Sequence, residues 1–171
     1  ASSPSENIFD QVKLETANFS GRMDNLRSSV LIPQLEELDK KVTQWNKLYN
    51  VLNDNLKKQN GIFFPNRDSD EYFVGSSIQF RIDSLNDEQI NSFINNCKSR
   101  GVDLKWFGDE KPVAYTSRYD SWKYLDNIPR LANTLRILAK TFDMRIPLTF
   151  TVQDCNIISK IIIEELQKVQ N

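Results

Sequence analysis

The feature that most constrains this chain is an apolar stripe running from Met23 to Leu56. Met23, Leu26, Val30, Leu35, Leu38, Val42, Trp45, Tyr49, Leu52 and Leu56 recur at steps of about three and four, as one buried face of a helix requires. The spacing predicts a helix continuing to about Asn60, where Asn60-Gly61 supplies a left-handed stop signal. Asn18–Gly21 reads as the turn before it, with Ser20 or Asn18 as the side-chain cap. Pro33 lies inside the pattern and, lacking an N–H, bends the helix or divides it in two. From Leu35 to Leu56 the repeat is close to a heptad, so a coiled-coil or bundle helix fits the same residues. Either way the stripe demands a cover, from self-association or from a partner.

Beyond the stripe the period changes. Within Tyr72–Ile82, Val74, Ser76, Ile78, Phe80 and Ile82 face one way and Gln79 and Arg81 the other, which predicts a half-buried strand. Asn86 with Gln89 forms a capping-box pattern ahead of a helix carrying Ile90, Phe93, Ile94 and Cys97 and stopping before Gly101. Val102, Leu104 and Trp106 alternate as a second strand, and Phe142, Met144 and Ile146 as a third that Pro147 closes. Between these two strands, Pro129 opens a helix bearing Leu131, Leu135 and Leu138. Thr151 with Asp154 caps a last helix with Cys155, Ile158, Ile162 and Leu166 inward. The expected class is α+β: a small three-stranded sheet covered by helices on one face, preceded by a long, Pro-kinked linking helix. The expected organisation is a partly mobile N-terminal segment over 1–17, the linking helix over 18–60 and a small domain over 61–171.

Composition excludes several functions. A net charge of −1 offers no electrostatic basis for nucleic acid or an anionic membrane surface as partner. No apolar run reaches membrane-span length, and ASSPSENIF has none of the blocks of a signal peptide. The chain holds no histidine, so the usual general base and commonest metal ligand are missing. Its two cysteines, Cys97 and Cys155, fall on apolar helix faces, so neither a metal site nor a disulfide is expected. A cytoplasmic location follows from that reading.

Two segments carry candidate chemistry. Ser20-Gly21-Arg22-Met23 joins a turn, a helix N-terminus and an arginine, a combination suited to an anion; the plainer alternative is a turn with Arg22 paired to Asp24 or solvent. Thr116–Trp122 (TSRYDSW) gathers Arg118, Tyr119, Asp120 and Trp122. Arg118 suits a carboxylate or sugar hydroxyls, and Tyr119 and Trp122 suit the apolar face of a sugar or cofactor ring. An ordinary surface loop with two anchored aromatics fits equally well. Lys105–Gly108 reads as a strand end and its turn.

Taken together, Ser20–Asp39 (SGRMDNLRSSVLIPQLEELD), Lys105–Glu110 (KWFGDE) and Thr116–Trp122 resemble the C-terminal part of the DegT/DnrJ/StrS-type sugar aminotransferases, from about Ile8 onward. These belong to the pyridoxal-phosphate enzymes of the aspartate-aminotransferase fold, fold type I. The resemblance implies the fold of their C-terminal small domain. It implies that Asn18, Ser20 and Arg22 occupy the place of an Asn-aromatic-Arg-Met segment whose polar residue reaches the cofactor phosphate of a neighbouring subunit. It places Arg118, Tyr119 and Trp122 in the loop that leans over the active site, here without the histidine often found there. The Schiff-base lysine of the family lies well upstream of the Gly-Arg segment, whereas only Lys13 precedes that segment here. No catalytic residue is therefore assigned, and pyridoxal phosphate is expected in the complete enzyme rather than on this chain alone. The implied partners are a missing large domain or partner subunit and further copies in a homo-oligomer. The alternative is a non-catalytic module that associates through its long amphipathic helix.

Overall fold

A computed structural model describes residues 23–111, 120 and 125–171. The chain order is α1 (Asn25–Glu36), α2 (Leu38–Leu56), β1 (Ser77–Arg81), α3 (Asp87–Ser99), β2 (Lys105–Trp106), α4 (Ala132–Leu138), β3 (Thr141–Arg145) and α5 (Val152–Gln170). The expected α+β class holds, with five helices and one three-stranded sheet among the described residues. Its order is β1-β3-β2, antiparallel throughout, so the last strand in sequence sits in the middle.

The sheet is two-sided in chemistry as well as shape. Ile78 and Phe80 on β1 and Phe142 and Met144 on β3 point to the core, and the registers Ile78↔Met144 and Phe80↔Phe142 set them side by side. Phe142 stacks on Phe80, with centroids 5.6 Å apart, and takes the edge of Phe93 from α3 at 5.5 Å. Such ring pairs stabilise by about 0.5–1.5 kcal/mol beyond the area they bury. α5 packs against both α2 and α3, and α2 also reaches β1.

The helix starts follow their local chemistry. Asn86 and Gln89 form the expected capping box on α3, and Thr151 and Asp154 the one on α5. The strands are shorter than the alternation suggested: β1 begins at Ser77 rather than near Tyr72. Residues 73–75 are held instead by Asn46, which donates from Nδ2 to Phe73 O (2.9 Å) and accepts from Gly75 N (2.7 Å). A loop whose hydrogen bonds go to a helix side chain has none left for a neighbouring strand at those atoms. Arg67 lies over the Phe73 ring at 3.4 Å and pairs with Glu71 at 2.6 Å, closing the same loop.

The long stripe requires the main correction. It is not one buried face. Leu26 and Leu35 are 76% and 65% exposed, and Met23, Val30, Ile32 and Leu38 are exposed with them. Burial begins at Val42 and continues through Leu48, Tyr49, Leu52 and Leu56. The helix does divide, but at Glu37 rather than at Pro33. Glu37 has φ −95° and ψ 3°, and its N–H turns to Leu35 O instead of continuing the helical ladder. α2 restarts at Leu38, with Lys41 N donating to Glu37 O at 3.0 Å. It ends at Leu56, and turns carry the chain to Gly61, whose φ of +89° matches the left-handed stop signal.

α3 and α5 also share a charged seam. The Glu165 side chain is 2% exposed and takes hydrogen bonds from Arg100 Nη1 and Lys168 Nζ, each at 2.7 Å; Arg100 also reaches Glu164 at 2.8 Å. Cys97 and Cys155 are both buried thiols, as their helix faces suggested.

Candidate functional site

All six site residues expected from the sequence, Asn18, Ser20, Arg22, Arg118, Tyr119 and Trp122, lie outside the described residues. The described residues next to them in sequence are defined. Immediately after Arg22, α1 is capped by Asp24, whose Oδ1 accepts from Arg27 N at 2.8 Å. This corrects the expected cap, which was Ser20 or Asn18. The Asp24 carboxylate also pairs with Arg27 Nη1 at 3.3 Å. A carboxylate already satisfies part of this helix N-terminus, so the bare N–H groups of α1 are not what would recommend the place to an anion.

The described chain ahead of the second segment leaves the sheet from an edge. β2 pairs only with β3 among the described strands, and the chain turns away through Phe107 and Gly108. Trp106 donates from Nε1 to Ala139 O at 2.9 Å, which fixes its indole against the end of α4. A Cβ at Gly108 would stand 2.6 Å from that indole, so glycine is required for the chain to fold back over Trp106. This agrees with reading Lys105–Gly108 as a strand end and turn. Asp109 Oδ1 then accepts from Lys111 N at 3.0 Å. At the far side of the segment Asn127 adopts φ 55°, in the left-handed region.

The sheet face away from the helices is polar and partly open. β1 places Ser77, Gln79 and Arg81 there, and β3 places Thr141, Asp143 and Arg145. The registers make a row of Gln79, Asp143 and Lys105 across all three strands. Opposite charges facing each other on Asp143 and Lys105 favour the pairing. Arg81 lies 5.6 Å from the Phe63 ring and pairs with Asp83 at 2.7 Å. The alternation at Gln79 and Arg81 foretold this face for β1, but nothing local in the sequence announced which strands would share it.

Two lysines near the sheet are engaged elsewhere: Lys140 Nζ donates to Leu85 O at 2.5 Å, and Lys105 lies 4.9 Å from the Phe107 ring. No cluster of histidine, cysteine or carboxylate groups suited to a metal occurs among the described residues. No helix among them is long and apolar enough to cross a membrane.

A small antiparallel sheet, helices on one face and a divided helix leading in define an α+β domain of the kind found in aminotransferases of the pyridoxal-phosphate fold. Among solved structures, 3-amino-5-hydroxybenzoic acid (AHBA) synthase superposes with a TM-score of 0.67 at 15% identity, covering 90% of this chain and 43% of its own. The aminotransferase TlmJ from Streptoalloteichus hindustanus gives 0.69 at 12% identity, covering 90% of this chain and 40% of its own. The chain thus spans less than half the length of either. At such identities the likeness shows the fold. The family follows from the sequence: residues 3–162 match the DegT/DnrJ/EryC1/StrS aminotransferase family, and the chain belongs to it. No curated protein matches the chain significantly.

Proposed function

We propose that the chain is the C-terminal part of a sugar-type, pyridoxal-phosphate-dependent aminotransferase. It supplies subunit contacts and one lip of the active site and does not catalyse transamination alone. The observation carrying this reading is the unequal coverage: 90% of this chain is accounted for by structures of which it represents only 43% and 40%. The remaining length of those structures leaves room for a cofactor-bearing domain, which this chain's own lysines do not replace. In this reading Asn18, Ser20 and Arg22 serve the cofactor phosphate, and Arg118, Tyr119 and Trp122 contact the substrate. Pyridoxal phosphate would supply the electron sink for moving an amino group.

The exposed residues of α1 favour a second reading, an interaction module that works by association alone. Both readings require a cover for α1, and a cofactor experiment separates them. The 171-residue chain, dialysed against pyridoxal phosphate, is expected to retain no covalently held cofactor. A pyridoxyl group trapped by borohydride on one specific lysine would overturn the proposal that the chain lacks its own cofactor site. Complementation with a large domain of the family should restore turnover under the first reading and leave none under the second.

A further inference from the structure

We infer that Asn60-Gly61 is a site of spontaneous backbone modification, at which the Gly61 amide nitrogen attacks the Asn60 side chain and releases ammonia. In this step a bond forms between Gly61 N and Asn60 Cγ while the Cγ–Nδ2 bond breaks, giving a five-membered succinimide. Water then opens either carbonyl of the ring, leaving aspartate or isoaspartate at residue 60. The chemistry needs no part of an aminotransferase, only an accessible amide, an unhindered nucleophile and a backbone free to bring them together.

Each condition is met here. This is the one Asn-Gly pair in the chain, and glycine presents no Cβ to obstruct the approach. Asn60 is exposed and lies in the turns after α2, outside any regular ladder. Among the described residues no hydrogen bond engages the Asn60 side chain or the Gly61 N–H; Gln59 before them is held by Leu56 O (3.1 Å) and Gln167 (3.0 Å), but the bonds that span the pair, Gln59 Nε2 to Asn60 O (3.4 Å) and Ile62 N to Gln59 O (3.5 Å), are long. The nearest atom to a Cβ built on Gly61 is Gln170 Nε2 at 3.9 Å, so the turn has space to rearrange. Three asparagines elsewhere are restrained. Asn46 is fixed through both side-chain groups, Asn86 belongs to a capping box, and Asn91, whose neighbour Ser92 is also small, donates to Asp87 O within α3.

The products act on the sheet. Isoaspartate adds a methylene to the main chain just ahead of buried Ile62 and of Phe63. Phe63 is bridged to Arg81 by two backbone bonds of 2.8 Å, at the end of β1. Lengthening the chain there loosens that bridge. Either product also adds a negative charge beyond the C-terminal end of α2, where the helix dipole is negative.

The test is ageing of the full chain in mildly alkaline buffer at physiological temperature, followed by peptide mapping. Aspartate and isoaspartate should accumulate at residue 60 at least about five-fold faster than at any other asparagine, with a mass gain of about 1 Da per event. Asn60→Gln should abolish that signal. Conversion at Asn91 or elsewhere ahead of residue 60, or conversion at residue 60 only in denaturant, overturns the inference. Hydrogen exchange tests the consequence. Exchange at Phe63 and Arg81 should be several-fold faster in the isolated isoaspartate form than in Asn60→Asp, which alters charge without lengthening the chain. Equal exchange in the two forms overturns the link to the sheet.

Discussion

α1 and α2 share one apolar stripe and meet at Glu37, yet they end in opposite environments. Every large apolar side chain of α1 remains at least partly in water, and none of its residues is buried, whereas α2 sinks Leu52 and Leu56 completely. The difference does not lie in spacing. It lies in what each helix finds beside it: α5 and the sheet lie against α2, and the principal described neighbour of α1 is α2 itself. α1 also carries apolar groups around much of its circumference, since at about 100° per residue Val30 and Ile32 fall on nearly opposite sides, with Leu31 and Leu35 between them. A helix of that kind is made to be covered from more than one direction. Periodicity therefore reports that a face must be buried and is silent on which body buries it.

The comparison can be broken most directly by truncating each half. Leu52→Ala should destabilise the chain by about 2–5 kcal/mol, because a fully buried leucine leaves a cavity. Leu35→Ala should change chemical denaturation by less than about 0.5 kcal/mol in the isolated chain, as exposed positions do. Equal effects would mean that α1 is already covered, by self-association or by residues outside those described. Light scattering on the two variants would then identify which.

The next effect concerns the loop seated on α2. A Cβ at Gly75 would lie 2.5 Å from Tyr49 Cβ, so Gly75→Ala must displace the loop or the helix. A loss of about 1–3 kcal/mol is expected, as for overpacking elsewhere. Nuclear magnetic resonance shifts centred on Tyr49 and Asn46 would confirm the location. An unchanged melting temperature would show that the loop is not anchored there.

Caps sharpen the same contrast at smaller scale. Thr151→Ala should lower global stability by about 1 kcal/mol, because α5 is part of the core. Asp24→Ala removes a comparable cap from α1 and should fray that helix with little change in the global transition. The measurement is circular dichroism beside chemical denaturation. A global loss from Asp24→Ala equal to that from Thr151→Ala would contradict the division between the two regions.

The last prediction is a pH dependence confined to the core side. Hydrogen bonds from Lys168 and then Arg100 hold the Glu165 carboxyl below its usual value. Cys97, Glu164 and Lys160 complete the ionisable surroundings given by the two helices. The folded chain thus binds fewer protons at this group than the unfolded one. Its contribution is present above the ordinary carboxylate value of 4.5 and is lost as pH falls through the depressed one. Glu165→Gln should flatten that part of the acid unfolding curve. A curve of unchanged slope would remove the seam from the stability argument.

Much of the core was legible from residues alone. Asn86 with Gln89 and Thr151 with Asp154 announced their helices because capping depends on atoms three residues apart. Ile78, Phe80, Phe142 and Met144 announced the inner sheet face because strands alternate. The break at Glu37 was legible only as a division somewhere near Pro33, since its position depends on where α2 meets the rest of the fold. Asp24 displaced the expected caps because several adjacent residues could perform that role. The candidate site was legible only as residue types and family resemblance, and its six residues remain proposals.

The sheet order carries a consequence for how the molecule comes into being. β3 is the central strand, yet among the described strands it is the last made, and each edge strand waits for it from well upstream in the chain. A growing chain that has not yet reached Thr141 has two strands with no hydrogen-bonding partner in this sheet. Ile78 and Phe80 must stay unpaired in this sheet until the chain has passed Thr141, a period in which such edges invite association with other chains. Any cut before β3 therefore abolishes the sheet rather than trimming it, and helper proteins or a preceding folded domain would matter most during that interval.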